Sequence, residues 1–437
     1  MSALACIGRV SRRIDTWVAV LIRPALRAAL AATLLMPGVA LGAPNLSDLV
    51  DGTPASQRGI AAAALPDVAM KAGVLVDAEG RVLWSRNADQ RRAMASITKI
   101  MTAVVALENA DPNGIVTIPK VSTQIGESTS NLRTGEQLPL SELLEALLVK
   151  SGNDAAIAIA VHVSGSQEAF VRLMNEKAIA LGLSHTRFAN PHGLDQPGHY
   201  TTASDLSVLA RYAMSKPEFR RIVGLKSVTI GTGVHKETLA STNILLGNYA
   251  GANGIKTGFT NAAGYSVIES AQRDGVSLIA VVLGTRSELQ RFGDARGLLD
   301  WGFAHYRPQA LATSGTVVAQ APVSDYLDVN VDAKVSRDAT VAVLDINGPI
   351  TRTVTVAPVK APVFSGQSIG AATFTQGGKL IATIPLVATN DVGRPNPFER
   401  VWIALVRGWR AIFGSCVFSG AGLFGSTAGG LSAAVSY

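Results

Sequence analysis

Five segments with helical apolar spacing, at residues 96–108, 140–149, 154–163, 167–181 and 204–214, stand between two groups of strand-like runs. On the near side, residues 74–76 and 82–84 flank Asp77-Ala78-Glu79-Gly80, a β-hairpin pattern. On the far side, runs 264–271 and 276–284 are joined by Arg273-Asp274-Gly275, a tight-turn sequence. Strands, then a helical block, then strands predict an α+β fold in which helices pack on an antiparallel sheet.

Over residues 308–393 no long helical spacing survives. Short alternating stretches such as Leu327-Asp328-Val329-Asn330-Val331 and Thr351-Arg352-Thr353-Val354-Thr355-Val356 predict a small all-β domain over 307–393. The main domain is then 44–306.

Charge separates this body from the ends. Hydrophobic residues make up 48% of the chain and charged ones 16%, which excludes a disordered protein. The formal charge is +7, yet residues 44–393 hold equal numbers of basic and acidic side chains. A nucleic-acid partner is excluded, because it requires a dense basic face to displace counterions. Residues 1–43 carry Arg9, Arg12, Arg13, Arg23 and Arg27 against Asp15, then an apolar run over 28–41, then Gly42 and Ala43. Basic region, short apolar core and small residues read as a cleavable export signal, which places the mature protein outside the cytoplasm. Cleavage removes Cys6 and leaves Cys416 alone, so no internal disulfide is expected.

In residues 394–413, Phe398, Trp402, Leu405, Trp409 and Ile412 recur every three or four positions, with Arg400, Arg407 and Arg410 towards the other side. Such a helix lies in a membrane surface. Residues 414–437 form an uncharged Gly/Ser/Ala-rich tail.

Three short motifs carry the chemistry. Ser96-Ile97-Thr98-Lys99 opens a helical segment, and a spacing of three puts the hydroxyl and the amine on one face. A serine hydroxyl needs a neighbouring base to become a nucleophile, and a desolvated lysine can be that base. Ser151-Gly152-Asn153 lies between two helical segments and offers a hydroxyl and an amide. Lys256-Thr257-Gly258 precedes a strand pattern and supplies a charge, a hydroxyl and close backbone approach. Each is common alone; in this order they mark the penicilloyl serine transferases. His192 and His199 sit in a loop without metal-ligand spacing, and no metal or cofactor is implied.

Stretches 95–103, 149–158, 191–206 and 254–271 resemble the D-alanyl-D-alanine carboxypeptidases, serine-type S11-like peptidases among the low-molecular-mass penicillin-binding proteins. The resemblance spans residues 65–306, and the β-rich region and terminal helix also fit that family. It implies a transpeptidase-like catalytic domain and a peptidoglycan stem peptide as substrate, with β-lactam antibiotics as acylating inhibitors. Ser96 is then the nucleophile, Lys99 its base and Ser151 the proton relay. Asn153, Lys256, Thr257, Gly258 and Phe259 bind substrate, the last through its backbone N–H, and Arg291 offers a further carboxylate contact, with Arg286 as competitor. A class A β-lactamase needs a deacylating Glu, which residues 186–200 lack. The same motifs would also serve a D,D-endopeptidase or, without turnover, a wall-binding or division scaffold.

Overall fold

The computed structural model describes residues 44–231 and 236–413, and the backbone of 435–436. The expected export signal, both cysteines and most of the tail therefore lie outside the described residues. The described chain divides into two compact units. One holds the described residues up to Ala271 with Ile279–Leu299; the other holds Gln272–Leu278 with the described residues from Asp300 on.

The first unit is built around strands β1 (Leu49–Val50), β2 (Thr53–Pro54), β3 (Ala72–Asp77) and β4 (Val82–Arg86) from the near side of the helical block. Of two small hairpins, β5 (Ile115–Thr117) with β6 (Gln137–Pro139) lies within the block and β7 (Ser227–Ile230) with β8 (Glu237–Ala240) follows its last helix. Beyond it come β9 (Ala252–Thr260), β10 (Gly264–Arg273) and β11 (Val276–Thr285). The near and far strands join in one seven-stranded sheet with the order β2-β1-β4-β3-β11-β10-β9. The predicted hairpins are both present, and the second turns at Asp274 and Gly275 with φ of 47° and 79°. Chain-distant strands pair as the order of segments requires, β3 beside β11. The central strand β11 is an almost unbroken apolar run, buried on both faces.

Helices α1 (Lys99–Asn109), α2 (Leu140–Glu145), α3 (Asn153–Ser164), α4 (Gln167–Ala180), α5 (Ala203–Met214) and α6 (Pro217–Val223) make the helical block. Buried side chains of α1, α3 and α5 join those of β3 and β11 in one apolar core. α1 buries every residue from Lys99 to Ala106, so it is the central rod of the block. Ser166 caps α4 by accepting from the Ala169 N–H at 3.1 Å, and Thr202 caps α5 through the Asp205 N–H at 3.1 Å. A helix that the apolar spacing does not announce, α7 (Glu288–His305), follows β11.

The second unit contains strands β12 (Tyr306–Ala312), β13 (Val317–Pro322), β14 (Asn330–Val335), β15 (Ala339–Leu344), β16 (Ile350–Val356), β17 (Ser368–Gln376) and β18 (Lys379–Ala388). β14 shows why its sheet has a buried face: Val331, Ala333 and Val335 alternate inward and join Phe374 of β17 and Ile384 and Leu386 of β18, in the same sheet, in one apolar cluster. Its last helix, α8 (Pro397–Phe413), is seated by buried Ile403 and by Arg407, which donates to the carbonyls of Ser324 and Tyr326. Phe398, Trp402, Leu405, Trp409 and Ile412 remain exposed. Among the described residues, no helix is long and apolar enough to cross a membrane.

Candidate active site

Ser96 occupies a 3-10 turn, Ala95–Thr98, that runs straight into α1. The turn is braced from behind. The Ala189 N–H donates to His199 Nδ1 at 2.9 Å, so His199 Nε2 bears the proton and meets Thr98 Oγ1 at 2.7 Å. Thr98 in turn donates to the Ala95 carbonyl at 2.7 Å. Burial lowers His199 to a pKa of about 4, which keeps this relay neutral. Two glycines crowd the Ser96 amide: a Cβ on Gly258 would lie 3.1 Å from its nitrogen, and one on Gly193 only 2.9 Å. Any side chain at Gly193, whose φ is +98°, would also strike the Ala95 carbonyl at 2.1 Å.

Lys99 is fully buried and has three partners: Ser96 Oγ at 2.9 Å, Asn153 Oδ1 at 2.7 Å and the His192 carbonyl at 2.7 Å. Two of these are pure acceptors. A neutral amine has two N–H bonds for them and one lone pair left, which then faces the serine hydroxyl. Burial pulls the Lys99 pKa down to about 7, against the opposing pull of Asp154 and Glu127. The amine is thus available as a base near neutral pH. Asn153 is fixed in this orientation because its Nδ2 donates to the Gly126 carbonyl at 3.3 Å.

Ser151 ends the helical segment differently from expectation. α2 gives way to a π turn, Ala146–Lys150, which Ser151 terminates with a left-handed φ of 71°. The Ser128 hydroxyl donates to the Ser151 carbonyl at 2.9 Å, and the Asp154 carboxylate receives the Ser130 and Leu132 N–H groups. The short loop carrying Ser151 is held on both sides by the 128–132 segment.

The Lys256-Thr257-Gly258 motif lies within β9, the edge strand, rather than before a strand. Lys256 is buried and donates to Ser151 Oγ at 2.8 Å and to the Thr257 carbonyl at 2.8 Å. Burial, with Lys99 and Arg291 nearby, holds its pKa well below the usual lysine value. The Thr257 hydroxyl meets that of Thr242 at 2.6 Å. Phe259 stacks on Tyr265 with ring centres 4.2 Å apart. Arg291, on α7, is 4% exposed, bonds the Gly258 carbonyl at 3.4 Å and pairs with Glu288, while Arg286 is exposed. The two serines and two lysines thus form hydroxyl–amine pairs, and Arg291 reaches the same strand.

Sequence reasoning missed three contributors: the His192 carbonyl, Thr242 and the loop-holding Asp154. The first had no side-chain signal, because any residue presents a carbonyl. The other two follow only from the packing of loops distant in the chain.

Residues 59–287 match the sequence profile of the S11 peptidases, D-alanyl-D-alanine carboxypeptidases, and residues 306–394 match the C-terminal domain of penicillin-binding protein 5. The D-alanyl-D-alanine carboxypeptidase DacC of Escherichia coli is 33% identical over 87% of this chain and 98% of its own. DacF of Bacillus subtilis is 32% identical over 74% of this chain and 85% of its own. Among solved structures, the carboxypeptidase DacD of Francisella tularensis aligns with a TM-score of 0.59 at 28% identity, covering 75% of this chain and 94% of its own. Penicillin-binding protein 5 of Haemophilus influenzae aligns with a TM-score of 0.58 at 30% identity, covering 75% and 99%.

Proposed function

The chain belongs to the serine-type D-alanyl-D-alanine carboxypeptidase family, and we propose that it removes the terminal D-alanine of peptidoglycan stem pentapeptides through an acyl-enzyme on Ser96. The observation that carries the assignment is the placement of Lys99 Nζ, 2.9 Å from Ser96 Oγ and 2.7 Å from each of two carbonyl oxygens that can take the N–H groups of a neutral amine.

In this reading Ser96 Oγ attacks the carbonyl between the two D-alanines while its proton passes to Lys99 Nζ. The N–H groups of Ser96 and Phe259 receive the oxyanion, a contribution of about 3–4 kcal/mol per donor. When the amide C–N bond breaks, Ser151 gives its proton to the departing amine and Lys256 replenishes it. Lys256, Thr257 and Arg291 draw the terminal carboxylate. Water then adds its hydroxyl to the acyl carbon and gives its proton through Ser151 back to Lys256, while Lys99 returns its proton to Ser96 as the ester C–O bond breaks and the shortened peptide leaves. A β-lactam ring presents a comparable amide to Ser96 and blocks it.

The exposed apolar face of α8 supports a further element of this reading, an exported enzyme held peripherally at the outer face of the cytoplasmic membrane. The catalytic assignment is tested by incubating wild type and Ser96→Ala with labelled penicillin and with a pentapeptide ending in D-Ala-D-Ala. Labelling and D-alanine release are both expected in wild type only. Release that persists in the variant removes Ser96 as nucleophile, and labelling without release in wild type points to a binding scaffold.

A further inference from the structure

Glu269 is a carboxyl group with no role in the chemistry above. It lies on β10, wholly buried, opposite Ile255 of β9. Thr257 lies opposite Val267, so Glu269 and Thr257 share one face of the β9–β10 pair. Glu269 Oε2 accepts from Asn243 Nδ2 at 2.8 Å, whereas Oε1 has no hydrogen-bond partner. Burial raises its pKa well above the carboxylate range, which keeps it a neutral acid.

Asn243 belongs to a strap between β8 and β9 that touches both walls of the site. Thr242 sends its N–H to the Val149 carbonyl at 3.2 Å, two residues before Ser151, and its hydroxyl meets Thr257 at 2.6 Å. Asn243 shapes the strap from below. Its N–H donates to Ser241 Oγ at 3.1 Å and its Oδ1 accepts the Leu245 N–H at 3.0 Å. The side-chain amide of Asn243 goes to Glu269.

We propose that Glu269 is a positioning residue for substrate binding: through Asn243 it fixes the strap whose Thr242 hydroxyl sets the Thr257 hydroxyl that receives the substrate carboxylate. The inference rests on the carboxylate-binding role given to Thr257 above. An apolar core residue at 269 leaves the Asn243 amide unpaired and the strap free to shift, whereas an amide of the same shape keeps the bond.

The test compares Glu269→Gln, Glu269→Leu, Thr242→Val and Thr257→Val in the full chain, using a D-Ala-D-Ala pentapeptide and its C-terminal carboxamide. Glu269→Gln should stay within about twofold of wild type. Glu269→Leu and Thr242→Val should raise KM for the acid peptide about tenfold with kcat kept, and leave the carboxamide unchanged, the loss of one well-placed hydrogen bond. Equal losses on both peptides, an unchanged KM in either variant, or a Gln variant as damaged as the Leu one overturns the proposal. Should Glu269→Leu not fold, the unbranched Glu269→Met, which also leaves the Asn243 amide unpaired, takes its place under the same criteria. Thr257→Val tests the underlying reading separately: if it raises KM for the acid peptide while Glu269→Leu is silent, only the role of Glu269 falls.

Discussion

Lys99 and Lys256 are buried to 0% and 1% exposure, while Trp402 and Phe398 of α8 stand 63% and 88% exposed. Both regions reverse the usual sorting of charge outward and apolar surface inward. In the first unit the reversal is chemical: loss of water lowers an amine's affinity for its proton, so that near neutral pH its lone pair is free 2.9 Å from a hydroxyl. In α8 the reversal is spatial, because the apolar face stays exposed while Ile403 and Arg407 seat the opposite side. The lesson is that a misplaced side chain has to be read with its surroundings. The lysines find their partners inside the protein, and the two rings keep most of their surface outside it.

The largest effect belongs to the buried side of this comparison. Ser96→Ala should lower kcat/KM for D-alanine release by about 10⁴-fold or more, the scale of losing a catalytic nucleophile. A loss of tenfold or less would mean that the Lys99–Ser96 pair is structural. The second effect is in pH. In the proposed mechanism Lys99, brought to about 7 by burial, works only as the free amine. The acylation constant should therefore fall about tenfold per pH unit below 7, to roughly a hundredth at pH 5. Lys256, needed with its proton, should set an alkaline limb well before pH 10.5. A profile flat down to pH 5 would break the claim that burial tunes Lys99.

How much of this was legible depends on what each residue contributes. The serines and lysines that the structure brings into hydroxyl–amine pairs were legible because their reactive groups are side chains set in short local motifs. The π turn before Ser151 was not, since residues 140–149 keep an ordinary helical apolar spacing throughout. The helix α7 hid behind Gly293, Gly297 and Gly302; burial of Phe292, Ala295, Leu298 and Leu299 overrides their weak propensity. The β-hairpins and the order of strands, helices and strands were plain, because hydrophobic period and turn residues agreed. Placing Lys256 ahead of a strand failed for a related reason: Gly254 and Gly258 look like loop, yet Gly258 is there so that β9 can approach Ser96.

On the exposed side, a double change, Trp402→Ser with Trp409→Ser, should lower partitioning onto anionic vesicles by about tenfold or more, from the apolar area withdrawn from the membrane surface. D-alanine release from a soluble pentapeptide should not change. Unchanged partitioning would show that the exposed rings are not what meets the lipid, and a loss of activity would tie α8 to the catalytic unit. High salt separates the two components of binding: it should weaken the contribution of Arg400 and Arg410 and leave that of the rings.

A third arrangement of charge, neither buried like the lysines nor bare like the rings, sets the scale for both. Glu108 ends α1, where the helix dipole disfavours an acid. It pairs with Lys177 at 2.6 Å and Lys216 at 2.6 Å and accepts from the Tyr212 hydroxyl. Partial burial would raise its pKa, but these hydrogen bonds prevail and hold it at about 2. A depressed carboxyl pKa contributes stability that is present above pH 4.5 and lost as pH falls towards 2. Glu108→Gln should therefore unfold more easily at pH 7 by about 1 kcal/mol, as partly exposed ion pairs do. The gap to wild type should close between pH 4.5 and 2, with activity at pH 7 unchanged. Measured by denaturant titration across that range, a gap that persists in full at pH 2 would assign the effect to packing. A gap that closes as expected shows a charge used only for stability, and sharpens the contrast with Lys99, whose burial serves proton transfer in the proposed mechanism.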